Sequence, residues 1–327
     1  MIIITGAAGM IGSVTAWHLN NNLGENDLIL CDDLAYENQE KNLSKRKYLD
    51  FVKKDQLLTS LNQIDAKRID AIIHMGAISA TTEKVFSKLI KDNIRFSQKL
   101  WSYCTEKKIP FIYASSAATY GDGSQGYDDE IHSGLKPLNA YGYSKYFFDR
   151  WALDMAEKNE CPPYWAGCKF FNVYGPNEYH KGRMASVVYH AFNQINNEGL
   201  IKLFKSNKPQ YEDGGQLRDF IYVKDAVSAM IHLLNTKKIN GLFNIGTGKA
   251  QTFFELAKSL VKNHQASIEQ IQFIDMPSDL DGKYQYFTEA KIDKLFKSGY
   301  DLTLMILILE FQIITKIIYH KKINTYE

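Results

Sequence analysis

Short apolar runs recur along the first half of the chain, each followed by a longer stretch whose apolar positions repeat at helical spacing. Residues 2–5, 28–31, 71–74, 111–114 and 167–172 read as buried strands, and stretches such as 13–22 and 86–107 as helices between them. Strand and helix alternating at this interval predict a parallel sheet joined by right-handed crossovers. Beyond residue 170 the pattern loosens, and Gly, Pro and Asn punctuate 174–183 and 206–216, which suits a smaller lobe set over the sheet. The organisation expected is a nucleotide-binding unit over 1–170, rejoined in part after 215, a mainly substrate-binding lobe over 171–300, and an atypical tail over 301–327.

That tail holds the longest apolar run, about thirteen residues from 302 to 314 broken by Glu310 and Gln312, short of the roughly 18–20 needed to cross a bilayer. It shows no clean helical stripe. A frame shift near Asp301 and a divergent, buried terminal helix both account for it. The opening MIIITGAAG enters a strand directly, without a basic segment and cleavage site, so no secretory leader and no membrane attachment are expected. The 327 residues are long enough for a full α/β core, and a net charge of +2 gives no global field for nucleic acid. Cys31, Cys104, Cys161 and Cys168 lack paired short spacing, so they read as reduced core thiols of a cytoplasmic protein, with neither a disulfide frame nor a metal site.

Candidate chemistry begins right after the first strand. In Thr5-Gly6-Ala7-Ala8-Gly9-Met10-Ile11-Gly12, Gly6 permits a tight turn, Gly9 lets backbone approach a pyrophosphate, and Gly12 allows close packing of helix on strand. The free amides of the following helix, with Met10 and Ile11 in its first turn, then face the phosphates. An acidic pair, Asp32 and Asp33, ends the second strand about 20 positions on. The fold class is therefore α/β, a Rossmann-type doubly wound parallel sheet with a smaller C-terminal lobe. A carboxylate at Asp32 favours a free ribose 2′-hydroxyl and hence NAD, whereas Lys41, Lys53 and Lys54 could neutralise a 2′-phosphate or simply be solvated surface. The residues alone leave that choice open.

A second constellation lies downstream. Ser116 ends the strand Phe111-Ile112-Tyr113-Ala114-Ser115-Ser116, and Tyr141-Gly142-Tyr143-Ser144-Lys145 follows about 25 residues later. Tyr141 and Lys145, four apart on a helix, share one face, where the ammonium can lower the phenol pKa and grip a nicotinamide ribose. The phenolate can then take a proton from a sugar hydroxyl as hydride leaves, with Ser116 bonding the same oxygen. Tyr143, two residues from Lys145, points to another face.

These blocks, together with His74-Met75-Gly76-Ala77, Thr81-Thr82-Glu83, Phe170-Phe171-Asn172-Val173-Tyr174-Gly175-Pro176 and His180-Lys181-Gly182 followed by Met184-Ala185-Ser186, resemble the extended short-chain dehydrogenase/reductases. Within that superfamily the chain is similar, over about residues 1–300, to the ADP-glycero-manno-heptose 6-epimerases. The resemblance implies a tightly held NADP, overriding the carboxylate argument. It implies interconversion of ADP-D-glycero-β-D-manno-heptose and ADP-L-glycero-β-D-manno-heptose at C6″, feeding the inner core of bacterial lipopolysaccharide. It also implies a homo-oligomer, often a pentamer. Inversion needs proton donors on both sides of the sugar carbon, and the resemblance assigns Tyr141 to one epimer and Lys181 to the other; by itself, a lysine in a glycine-punctuated loop reads as solvated surface. Lys54, Met75, Gly76, Ala77, Asn93, Asn172 and Val173 are placed by it near the cofactor, with Asn172 also within reach of substrate. Ser79, Arg183, His190, Phe204, Arg218 and Tyr284 are placed near the substrate. Arg218 suits a diphosphate clamp, since a guanidinium fork matches paired phosphate oxygens; His190 reads equally as a packed helix histidine.

Three positions depart from that pattern: Met75 where an acid is usual, Arg183 where a small residue is common, and a loop insertion over 207–216. The rival enzymes are a UDP-hexose 4-epimerase and a dTDP-glucose dehydratase, the latter disfavoured because Tyr120-Gly121, not an Asp-Glu pair, follows Thr119. A non-catalytic NADP-binding protein is the rival of another class; Ser116, Tyr141 and Lys145 argue against it.

Overall fold

The structure is a computed structural model and describes residues 1–264, 266–277 and 284–301. The alternative readings of the tail after Asp301 fall outside those residues.

Seven strands form the main sheet: β1 Ile2–Thr5, β2 Leu28–Cys31, β3 Asp50–Val52, β4 Ala71–His74, β5 Phe111–Ser116, β6 Trp165–Phe170 and, after the intervening strands β7 Asn172–Tyr174, β8 Ile201–Phe204 and β9 Leu217–Tyr222, β10 Gly241–Ile245. Their order is β10-β6-β5-β4-β1-β2-β3 and every pairing is parallel. All four residues of β1, β2 and β4 are buried. Such all-apolar strands need cover on both faces, and helices supply it. Those helices are α1 Met10–Asn22, α2 Leu57–Gln63, α3 Phe86–Leu89, α4 Phe96–Lys107, α5 Ala140–Glu157, α6 Val187–Glu198, α7 Val223–Thr236, α8 Phe253–Asn263 and α9 Asp293–Lys297. On one face α1 and α7 bury Val14, Leu19 and Met230 against Ile4, Ile73 and Phe243. On the other, α4 and α5 bury Leu100, Trp101 and Phe148 against Ile3, Ile72 and Phe111.

The strands expected at 2–5, 28–31 and 71–74 form with those bounds. The one at 111–114 runs on to Ser116, and the one at 167–172 lies two residues earlier because Phe171 breaks the ladder before β7. The helix expected over 86–107 is interrupted by a π-helical segment, Ile90–Arg95. β3 was not anticipated: three residues with an exposed Asp50 carry no apolar run. β10 returns the chain to the sheet edge beside β6.

Beyond β6 a third core gathers Val188, Ile195, Leu203, Leu256 and Leu260 under two small sheets, β8 paired with β12 Ile271–Ile274, and β9 between β7 and β11 Ala250–Thr252. Asp219 of β9 ties this lobe together, its carboxylate accepting from the amides of Thr247, Gly248 and Ala290 at 2.7, 2.9 and 3.0 Å. In the main sheet the strand order reverses between β1 and β4, and the crevice at their carboxyl ends is where ligands of such sheets bind. Cys31, Cys104 and Cys168 are buried, and burial raises each thiol, Cys31 to about 12. Among the described residues, no helix is long and apolar enough to cross a membrane.

Trp101 is the centre of the α4–α5 face, with ring centroids 5.1 Å from Trp165, 5.9 Å from Trp151 and 6.1 Å from Phe111. Trp101→Ala should cost about 3–5 kcal/mol in denaturant unfolding, because that rigid aromatic cluster cannot collapse into the hole. A loss below about 1 kcal/mol would show that the face repacks freely.

Candidate active site

A cavity of about 720 Å³ runs along the carboxyl ends of β1, β2, β4 and β5. Its floor is the turn between β1 and α1. Gly6 has φ +63°, and a Cβ there would meet the Gly76 amide nitrogen at 2.5 Å. A Cβ on Gly12 would lie 2.1 Å from the Gly6 carbonyl oxygen, so no side chain fits between helix and strand. The first turn of α1 has no side-chain cap and no acidic residue, which leaves its amides and the positive end of its dipole facing the cavity. This bare glycine cradle fits a dinucleotide pyrophosphate. Gly6, Gly9, Met10, Ile11 and Gly12 all line it, as do Met75, Gly76, Ala77 and Val173.

At the β2 end, Asp32 and Asp33 reach the cavity. The Asp32 carboxylate accepts from the amides of Ala8 at 2.9 Å, Asp33 at 2.8 Å and Leu34 at 3.2 Å, and from the Gln39 side chain at 3.4 Å. It therefore braces the glycine turn as well as facing the site. Of the three lysines weighed for a 2′-phosphate, Lys54 lines the cavity, its ammonium 2.5 Å from Asp92, while Lys41 and Lys53 are exposed outside it.

Ser116, Tyr141 and Lys145 come together on the facing wall. Asn139 caps α5 through the Gly142 amide at 2.8 Å, and Tyr141 and Lys145 then occupy the helix face turned to β5. Lys145 donates to the Ala114 carbonyl at 2.7 Å, and burial lowers it to about 8. Burial raises the Tyr141 phenol and Asp149 adds to that rise, while a hydrogen bond from Ser116 opposes it. The Ser116 hydroxyl, not Lys145 as the helical spacing predicts, is the group that favours the phenolate here, because the Lys145 ammonium is turned to the Ala114 carbonyl. Tyr143 is exposed and packs at a tilt against Phe147, ring centroids 5.8 Å apart, and does not line the cavity.

Asp149 escaped the sequence reading, although it lies four residues past Lys145 on the same helix face. It is buried, and accepts from Ser115 Oγ at 2.6 Å and Tyr113 OH at 3.0 Å, with Lys169 Nζ of β6 at 3.4 Å. Lys169 in turn donates to Thr119 at 2.8 Å and sits 4.4 Å over the Tyr120 ring.

Lys181 enters the same cavity from the loop between β7 and α6. Its Nζ lies 3.3 Å from Met10 Sδ, and burial lowers its pKa while Glu178 opposes the fall. It is not a solvated surface lysine. Gly182, next to it, holds φ +52°. Ser79 and Arg183 also line the cavity.

The remaining sequence candidates lie elsewhere. Asn93 stands behind the wall, its side chain bonded to the Ile78 amide at 2.8 Å, the Ile78 carbonyl at 3.0 Å and Ser144 Oγ at 2.9 Å. Arg218, Phe204 and Tyr284 form a separate aromatic–cation cluster, the guanidinium 4.9 Å over the Tyr284 ring and 5.5 Å over Phe253. Asn172 accepts a 3.4 Å contact from Thr288, and His190 lies on α6 beside Tyr189. Tyr36 and Gln39 line the cavity unannounced, since they sit in a polar segment without periodicity, and His180, quoted in its motif but given no role, lines it as well.

A glycine-cradled dinucleotide cavity walled by Ser116, Tyr141 and Lys145 defines a nicotinamide-dependent sugar-nucleotide enzyme by class. The chain belongs to the NAD dependent epimerase/dehydratase family, whose model matches residues 2–246. Within it the chain is 50% identical over 310 residues to an ADP-L-glycero-D-manno-heptose-6-epimerase of Fusobacterium nucleatum, covering 92% of each. It is 39% identical to the protein of that name from Brachyspira hyodysenteriae over 93% of each. The crystal structure of the Helicobacter pylori ADP-L-glycero-D-manno-heptose-6-epimerase superposes with a TM-score of 0.77 at 26% identity, covering 96% of this chain and 93% of that one.

Lys145 at about 8, against 10.5 for an exposed lysine, means that between those pH values the unfolded chain binds more protons than the folded one. Its contribution to stability therefore rises with pH across that window, by about 3 kcal/mol. Lys145→Met should lack this rise: its unfolding free energy relative to wild type should fall by about that amount between about pH 7.5 and about pH 10.5. An unchanged difference at the two pH values would refute it.

Proposed function

We propose that this chain interconverts ADP-D-glycero-β-D-manno-heptose and ADP-L-glycero-β-D-manno-heptose by oxidising and re-reducing C6″ of the sugar, supplying heptose for the lipopolysaccharide inner core. The observation that supports this most directly is that Tyr141 and Lys181, from opposite ends of the sequence motifs, line one cavity with the glycine cradle. Gly6, Gly9 and Gly12 would hold a nicotinamide dinucleotide, whose chemistry there would be reversible hydride exchange with C6″. Tyr141 takes the hydroxyl proton of one epimer, with Ser116 bonded to the phenol and to the same substrate oxygen. Lys145 would hold the nicotinamide ribose, and its ammonium, on the same helix face as Tyr141, would favour the phenolate. Lys181, its pKa lowered by burial, moves the proton for the opposite epimer. Two donors are required because the sugar carbonyl presents the other face before it is reduced again.

NADP is the proposed cofactor. Asp32 is already occupied by three amides and Gln39, so its oxygens are not reserved for a ribose 2′-hydroxyl, and Lys54 brings a cation to the same wall. We assign residues 1–170, with the return after 215, to cofactor binding and 171–300 mainly to the sugar nucleotide. There Arg218, set between Phe253 and Tyr284 with Phe204 against the latter, is the proposed diphosphate clamp, with Ser79, Asn172, Arg183 and His190 nearer the sugar. The protein acts in the cytoplasm as a homo-oligomer on this reading.

Purified protein incubated with ADP-D-glycero-β-D-manno-heptose should yield the L-glycero epimer, and acid-released cofactor should be NADP. Turnover of UDP-galactose with no heptose interconversion would end the reading, and release of NAD would end the cofactor assignment. Tyr141→Phe and Lys181→Ala should each lower epimerisation about 10²- to 10⁴-fold, the range for loss of a positioned acid/base. Full activity in Lys181→Ala would remove it from the mechanism.

A further inference from the structure

Lys181 sits on a loop anchored on both sides of the cavity: Glu178 accepts from the Gly175 amide at 3.2 Å and from Ser186 Oγ, at the start of α6, at 2.8 Å, while the residues around it bond to the dinucleotide side. The Asn42 side chain, buried between the two, donates to the Ala8 carbonyl at 2.9 Å and the Asn177 carbonyl at 3.1 Å, and the same nitrogen lies 3.2 Å from His180 Nδ1, within reach of a shared hydrogen. Asn177, held at φ +68°, returns a bond from its own amide to Ser13 Oγ at 2.9 Å. The His180 ring packs 5.6 Å from Tyr36, and burial keeps it neutral, at about 4, so that an unprotonated ring nitrogen is available to Asn42. Ala8 lies in the glycine turn, while Tyr36 lines the cavity at its β2 end.

We propose that Asn42 is a positioning residue for Lys181, fastening the loop of the second proton donor to the segment that receives the dinucleotide, so that cofactor binding and alignment of Lys181 are mechanically one event. This rests on the function proposed above. Asn42 touches neither proton donor. It acts by fixing Asn177 and His180, the residues from which Lys181 is suspended, and a proton donor displaced by about 1 Å loses on the order of 10²-fold in rate.

The distinguishing property is one-sidedness, since Tyr141 is held by α5 and does not depend on this loop. In Asn42→Ala carrying NADP, overall epimerisation should fall about 10- to 100-fold. Reduction of the bound cofactor, followed by its near-ultraviolet absorbance, should stay within about threefold of wild type for the epimer that Tyr141 deprotonates, and fall with the overall rate for the other. Hydrogen exchange of 177–184 should be slowed by NADP in wild type and not in Asn42→Ala. Equal losses with both epimers, no loss, or cofactor protection of 177–184 surviving in the variant would each overturn the proposal. Should Asn42→Ala fail to fold, His180→Leu keeps the two carbonyl bonds of Asn42 and should give the same one-sided loss in smaller degree; a symmetric loss overturns it there too. Lys181→Ala, run alongside, separates the two levels. If it stalls with one epimer while Asn42→Ala behaves as wild type, the positioning role falls alone; if it epimerises normally, the assignment of Lys181 falls and the role of Asn42 with it.

Discussion

One carboxylate holds the catalytic wall in register. Asp149 ties together three elements: α5, which carries Tyr141 and Lys145; β5, through Tyr113 and Ser115; and β6, already paired with β5 by its ladder, through Lys169. A buried charge this deep survives only if its remaining acceptor sites are filled, and Asp149 has two hydroxyls and an ammonium around it. The pair with Lys169 need not stabilise the fold relative to an apolar substitute. What it does is make one geometry of helix against strand far cheaper than any other, because a slip of either element would leave an ion unpaired in the core.

Around that fixed point the site holds its charges under tension. Lys145 and Lys181 are both driven toward neutrality by burial, and the Tyr141 phenol is kept protonated for the same reason. His74, at the end of β4, is pushed to about 3 by burial and by Lys145 and Lys54, so it stays a neutral link between Thr5 at 2.6 Å and Ser97 at 2.9 Å. Groups poised in this way respond strongly to a neighbouring charge, which is what acid–base chemistry at an alternating hydride donor and acceptor demands.

The nucleotide half was legible in the sequence because its constraints are local. Apolar runs at 2–5, 28–31 and 71–74 can only be doubly covered strands, and Gly6 and Gly12 sit where no Cβ fits. Tyr141 and Lys145 were legible as a helical pair for a similar reason. Lys181 was readable only through the surrounding motif, since its burial depends on Met10 about 170 positions away. The π-helical segment at Ile90–Arg95 and the three-residue strand β3 carry no periodic signal of their own. Arg218 shows the converse: the residue type fits a diphosphate, but its packing between Phe253 and Tyr284 is set by long-range contacts that no spacing announces.

The seven-stranded order has a consequence for how the chain is made. β6 is buried along its whole length, yet one of its flanks is completed only by β10, about seventy residues later. A nascent chain emerging from the ribosome therefore presents a six-residue strand, all but Lys169 uncharged and mostly apolar, with unpaired amides and carbonyls on one flank while the entire β7–α7 segment is still being synthesised. During that interval a stray strand competes directly with β10 for the vacant flank. Vectorial synthesis thus leaves that flank open to stray strands until β10 arrives, and truncation before residue 241 should promote aggregation.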